Sequence, residues 1–187
     1  MEVIKTAIEG VLIIEPKIWG DDRGYFFESY SARDFVAKTG MDITFVQDNE
    51  SKSRYGVLRG LHFQNPPYTQ SKLVRVIKGR VLDVAVDIRK CSPTYGQYVS
   101  CELTAENHRQ FFVPKGMAHG FVVLSEEAVF QYKCDEFYHP EAEGAIAWDD
   151  KDLNIDWPIP ATDVVLSEKD KHHPFLKDFE SPFSFKK

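Results

Sequence analysis

Apolar residues recur at every second position through much of the chain, the period of a half-buried strand and not of a helix. The clearest run is 80–88, where Leu82, Val84, Val86 and Ile88 fall on one face and Asp83, Ala85 and Asp87 on the other. With 72–77 it flanks Lys78-Gly79, a two-residue signal that predicts a β-hairpin. Further short strands are predicted at 24–30, 45–49, 57–63, 98–103, 110–113, 120–124 and 128–137. Turn clusters such as Cys91-Ser92-Pro93-Thr94-Tyr95-Gly96 and Pro114-Lys115-Gly116 lie between them. Only two segments read as helical: 31–39, opened by Ser31 and closed by Gly40, and a short turn at 167–171. Many short strands with few helices predict an all-β sandwich or barrel. Prolines at 158, 160, 174 and 182 make 149–187 an irregular wrap over that core, so 1–187 is expected to be a single domain.

Composition narrows the classes. With 187 residues, 43% of them hydrophobic, the chain is long enough to bury a core. No apolar run approaches the ~18 residues that a membrane helix requires. Glu2 and Glu9 interrupt the N-terminal apolar stretch and argue against a secretory leader. Cys91, Cys101 and Cys134 form no CxxC pair and fit a reducing cytoplasm, as core or interface residues. A net charge of −6 argues against a general nucleic-acid binder. That charge is uneven, however. Residues 51–82 carry seven basic side chains and no acidic one, whereas all 29 acidic residues lie elsewhere. Such a block predicts a local anion site for a small phosphorylated ligand, although outward-facing, solvated side chains give the same pattern.

Two motifs carry candidate chemistry. Arg59-Gly60-Leu61-His62-Phe63-Gln64 places Gly60, His62 and Gln64 on one strand face and Arg59, Leu61 and Phe63 on the other. Pro114-Lys115-Gly116-Met117-Ala118-His119-Gly120-Phe121 is a turn leading into a strand. A catalytic metal needs about three protein ligands, and the position that would share His62's face is Gln64, a poor one. His108, His139 and the adjacent His172-His173 show no ligand spacing to His62 or His119, so no metal is expected. A strand histidine is most often a satisfied polar residue without chemistry, but a metal-free imidazole can also act as acid or base near neutral pH. Lys72 could then hold an oxyanion, Tyr132 could donate a proton, and Asp83 or Asp170 could orient the imidazole. These are the parts needed for proton abstraction beside a carbonyl. No phosphate-binding glycine loop and no GxSxG elbow occurs.

Six motifs occur in an order that resembles one family. They are Gly20-Asp21-Asp22-Arg23-Gly24-Tyr25-Phe26-Phe27-Glu28, Gln47-Asp48-Asn49, Val57-Leu58-Arg59-Gly60-Leu61-His62-Phe63-Gln64, the Pro114–Phe121 run, Gln131-Tyr132-Lys133 and Leu166-Ser167-Glu168-Lys169-Asp170. Together, over nearly the whole chain, they resemble the dTDP-4-dehydrorhamnose 3,5-epimerase family. The resemblance implies a metal-free, cofactor-free cupin, a jelly-roll β-barrel with a few short helices, usually a homodimer. It implies epimerisation at C3 and C5 of dTDP-4-dehydro-6-deoxy-D-glucose, on the route to dTDP-L-rhamnose.

The family's roles carry over by position. His62 would be the base, with Asp170 as its orienting partner and Asp83 in reserve. Lys72 would hold the enolate oxygen and Tyr132 would return a proton from the opposite face. Arg59, His119, Gln47, Asp48, Asn49, Glu143 and Lys169 match sugar-nucleotide contacts, and Tyr138 a ring stacked on the thymine. Arg23 and Glu28 match positions that a neighbouring subunit supplies. The tail after Pro174 departs from the family and is assigned nothing. Alternatives are an epimerase of one centre or a keto-isomerase, a metal-dependent cupin oxygenase, and a non-catalytic sugar-nucleotide binding module.

Overall fold

The computed structural model describes residues 1–185, leaving Lys186 and Lys187 outside the described residues. Its strands are β1 (Glu2–Lys5), β2 (Leu12–Glu15), β3 (Trp19–Asp21), β4 (Gly24–Phe26), β5 (Gln47–Arg54), β6 (Leu58–Gln64) and β7 (Lys72–Lys78). They continue as β8 (Arg80–Asp87), β9 (Tyr98–Thr104), β10 (Gln110–Val113), β11 (Met117–Val123), β12 (Glu127–Cys134) and β13 (Glu143–Ala145). One α-helix, α1 (Ala32–Thr39), is present among the described residues. Ser31 caps it by accepting from the Asp34 amide at 3.3 Å, and Gly40 ends it in the left-handed region at φ 72°.

Two antiparallel sheets carry the architecture. A six-stranded sheet runs β1-β2-β10-β7-β12-β5 and a five-stranded sheet runs β13-β6-β11-β8-β9, with β3-β4 as a separate exposed hairpin. Their inner faces meet in the main core, where Val74, Phe111 and Phe130 from the first sheet pack against Ala85, Leu103 and Phe121 from the second. Phe121 stacks on Phe130 across the gap at a centroid distance of 4.1 Å. The helix α1 covers the outer face of the six-stranded sheet through Phe35, Leu73 and Phe112. Tail residues Leu153, Phe179 and Phe183 cover the outer face of the other sheet, over Leu61, Val84 and Val86. Both faces of β8 are therefore buried, which explains why its alternation sets valines against aspartates and not against surface lysines. This is the jelly roll expected of an all-β chain.

The predicted hairpin at Lys78-Gly79 is overturned. β7 and β8 lie in different sheets, and Gly79 turns the chain from one to the other. It has φ +79°, and a Cβ there would lie 2.0 Å from the Glu127 carbonyl oxygen, so only glycine fits this corner. Long apolar strands on both sides made a hairpin and a sheet-changing corner look alike. β1, β2, β3 and β13 were also not predicted; β3 and β13 have three residues each, too few for periodicity to register.

Candidate active site

The chemistry-bearing side chains line the space between the two sheets. On β6, strict alternation puts Arg59 opposite His62, but the structure does not. The β6–β11 register shifts between the His119–His62 pair and the Phe121–Arg59 pair. Directly paired residues share a face, so His62 faces inward beside His119 and Arg59 faces inward beside Phe121. Arg59 Nε donates to Ser53 Oγ of β5 at 3.1 Å, crossing from one sheet to the other. Gln64, whose identity argued against a metal, uses its amide on backbone groups. It donates to the Tyr68 and Phe137 carbonyls at 2.6 and 3.0 Å and accepts from the His139 amide at 2.7 Å.

His62 Nε2 lies 2.6 Å from Asp170 Oδ1. Asp170 sits in a short 3-10 turn, Lys169–Lys171, which Ser167 prepares. The Ser167 hydroxyl accepts from the Asp170 amide at 3.2 Å and donates to Asp170 Oδ2 at 2.8 Å. Burial pushes the Asp170 carboxyl up, but hydrogen bonds from His62, Ser167 and His173 outweigh it and hold the group below the usual carboxylate range. It is an ionised partner for an imidazole.

Asp83, the reserve partner, is taken by a different histidine. Its Oδ1 lies 2.8 Å from His119 Nε2, with both side chains buried. Its Oδ2 has no hydrogen-bond partner among the described residues. Burial raises the Asp83 carboxyl, against opposing pulls from His119 and Lys72.

The six-stranded sheet faces these groups with Lys72 and Tyr132. Lys72 Nζ sits 6.0 Å from the centre of the Tyr132 ring. Burial draws the Lys72 ammonium down, while the carboxyls of Asp83 and Glu143 pull the other way. Tyr132 packs on the main core, and burial raises its phenol while Arg59 opposes the rise. Cys134 and Cys101 are buried thiols pushed up to about 11 and about 12, so neither is a thiolate. Cys91 is exposed in a turn, outside the core.

The remaining predicted residues divide. Gln47 and Asn49 are half-buried on β5 and joined side chain to side chain at 2.9 Å, and Gln47 Oε1 accepts from the Tyr138 amide at 3.0 Å. Lys169 binds Glu143 at 3.0 Å, beside the turn that holds Asp170. Asp48 is not brought to this site: it alternates to the exposed face of β5 and pairs with Lys133 at 3.0 Å. Arg23 is in the exposed hairpin, paired with Asp21, and Glu28 is exposed at the outer face of the six-stranded sheet near Leu73 and Gln110. Neither lies within this chain's own barrel. Sequence reasoning missed Ser167 as a carboxylate partner, although Ser-x-x-Asp was the available signal, and it set His173 aside for want of ligand spacing to His62. That residue lies 3.2 Å from Asp170 Oδ1, so the tail supplies the third donor that strand spacing denied to His62.

Known proteins match nearly the whole length of the chain. A family model described as dTDP-4-dehydrorhamnose 3,5-epimerase matches residues 5–178. The chain belongs to that family. The epimerase of Salmonella typhimurium is 56% identical over 176 residues, covering 94% of this chain and 96% of its own. The crystal structure of the Elizabethkingia anophelis epimerase superimposes with a TM-score of 0.92 at 55% identity, covering 95% of this chain and 97% of that one. A dTDP-6-deoxy-D-glucose-3,5-epimerase from Legionella pneumophila, in complex with dTDP-4-keto-L-rhamnose, gives a TM-score of 0.92 at 52% identity over 96% and 94% of the two chains. Like them, this epimerase-family chain is a cupin-type jelly roll. No helix among the described residues is long and apolar enough to cross a membrane.

Proposed function

We propose that the protein inverts C3 and C5 of dTDP-4-dehydro-6-deoxy-D-glucose to give dTDP-4-dehydro-L-rhamnose, supplying the route to dTDP-L-rhamnose. One arrangement carries the assignment of roles: the His62 imidazole on one sheet, held by Asp170 of the tail, lies across the core from a phenol and an ammonium on the other sheet. Inversion needs proton removal on one face of the sugar and proton return on the other. Two facing sheets supply those two directions.

Each proton removed is α to the C4 ketone, so an imidazole can take it once the enolate is stabilised. His62 is the base in this reading, and Asp170 orients it. Lys72 donates to the enolate oxygen. Tyr132, its phenol kept protonated by burial, returns the proton from the opposite side. Imidazole, phenol and ammonium suffice for these steps, so no metal or organic cofactor enters them. In this reading Arg59, Gln47, Asn49, Tyr138, Glu143 and Lys169 are sugar-nucleotide contacts, and His119, buried between the sheets beside Asp83, reaches the sugar from within. Arg23 and Glu28 reach the site of a second copy, in a cytoplasmic homodimer whose contact includes the exposed Trp19, Tyr25 and Phe26. Incubation with substrate in deuterated water tests the activity. Label at both C3 and C5 is expected; label at one centre indicates a single-centre epimerase, and label at neither contradicts the reading.

A further inference from the structure

Asp170 Oδ1 stands between two imidazoles. His62 Nε2 is 2.6 Å away and His173 Nε2 is 3.2 Å away. The rings meet edge to face at 88°, with centroids 6.0 Å apart, so their nitrogen edges converge while their faces do not stack. All three ligand atoms lie within 4.8 Å of one another. The proposed reaction uses the first imidazole and the carboxylate, while His173 takes part in it only through its contact with Asp170.

We propose that His62, Asp170 and His173 form a binding site for a divalent transition metal ion of the zinc class, and that its occupation inhibits the enzyme. Two imidazole nitrogens and one carboxylate oxygen are a donor set that zinc takes with a fourth position left open. Bonds of about 2.0–2.2 Å place tetrahedral ligand atoms about 3.3–3.5 Å apart, so the His62–Asp170 contact must open from 2.6 Å and the two nitrogens, within 4.8 Å of each other, must take up the same spacing. His173 can make its share of that shift because it lies in the irregular tail and not in a strand.

Asp170 is prepared for the ion. Its side chain is 4% exposed, and its other oxygen is held by Ser167, which leaves Oδ1 as the ligand and gives it an outer-shell support. His62 and His173 keep 32% and 20% of their side chains exposed, which provides an entry path and room for a water in the open position. Each imidazole must offer its Nε2 lone pair, so the proton shared with Asp170 moves to Nδ1 or to solvent. The inhibition rests on the reading of His62 as the base: with Nε2 bonded to Asp170 the basic lone pair is on Nδ1, and an ion on Nε2 takes the imidazole away from its orienting carboxylate and leaves the ring proton on Nδ1, where it blocks proton abstraction. The ion is thus an inhibitor and not a cofactor.

The test is titration of chelator-treated full-length protein with Co²⁺, followed by visible absorption, and with Zn²⁺ by equilibrium dialysis, both without substrate. One ion per chain is expected, with initial rates falling as the site fills and recovering on chelation. His173→Ala should weaken binding by more than about a hundredfold, since loss of a ligand exceeds the 10–100-fold typical of an outer-shell partner. His173→Gln should do the same while retaining a donor to Asp170, which separates loss of the site from loss of folding. Inhibition is scored against each variant's own metal-free rate. Absence of a bound ion, or His173→Gln binding Zn²⁺ as tightly as the parent, would overturn the proposal. Ion binding that is intact in a protein without turnover would sink the epimerase reading instead, so the two failures are distinguishable.

Discussion

His62–Asp170 and His119–Asp83 are both imidazole–carboxylate pairs, at 2.6 and 2.8 Å, yet their carboxyls are driven in opposite directions. Asp170 accepts from two histidines and a serine, and those bonds outweigh burial. Asp83 is fully buried with one oxygen lacking a partner, and there burial prevails. Distance to the histidine therefore says little about what a carboxylate does. The number of donors aimed at it, set against its burial, decides which way its pKa is driven. One pair is built to hold a negative charge beside a base that is about a third exposed. The other stores a polar group deep between the sheets, next to Lys72, where it can share that lysine's charge.

The sharpest way to break this comparison is to remove each histidine in turn. His62→Ala should lower kcat by about 10²–10⁴, the usual worth of a general base, with a smaller change in KM. His119→Ala should act chiefly on KM; equal losses of kcat in the two variants would erase the distinction. Lys72→Met comes next, with kcat reduced by about 10²–10³, as for other oxyanion donors. Its melting temperature at neutral pH should hold or rise, because burial disfavours the ammonium in the folded state. A drop in both activity and melting temperature would make Lys72 a structural cation.

The smallest effect compares the carboxylates directly. A lowered folded pKa makes the Asp170 contribution complete above about pH 4 and lost as pH falls through the folded value. A raised one makes the Asp83 contribution complete below about pH 4 and lost as pH rises through the folded value. The stability advantage of the parent over Asp170→Asn should thus grow as pH rises through the acid range, and that over Asp83→Asn should shrink. For a chain of this length each ~1 kcal/mol appears as about 2–4 °C in melting temperature. Parallel slopes would contradict the opposed environments.

Much of this could be read from the sequence because period-two burial is local. The 110–113 strand, the alternation in 80–88 and the Ser31 cap needed no partner to be legible. What depended on a partner distant in sequence was not. Gly79 looks like a hairpin turn until Glu127 is placed 2.0 Å from where its Cβ would be. Arg59 changes face because β6 slips against β11, an irregularity of the pair and not of either strand. Of the basic block, Lys72 is drawn in between the sheets with Arg59 and His62, but Lys52 and Lys78 turn outward to Glu127. The place of His173 beside Asp170 was not legible because it depends on how the tail folds back on β6, which proline positions do not specify.

Proton exchange tests the central claim most directly, that a base on one sheet and an acid on the other act on opposite faces of the sugar. Substrate would be incubated in deuterated water with His62→Ala and with Tyr132→Phe, and C3 and C5 read for both label and configuration. The account predicts no label above background with His62→Ala, and label without inversion with Tyr132→Phe. Label entering C3 or C5 at the parent rate with His62→Ala would contradict it.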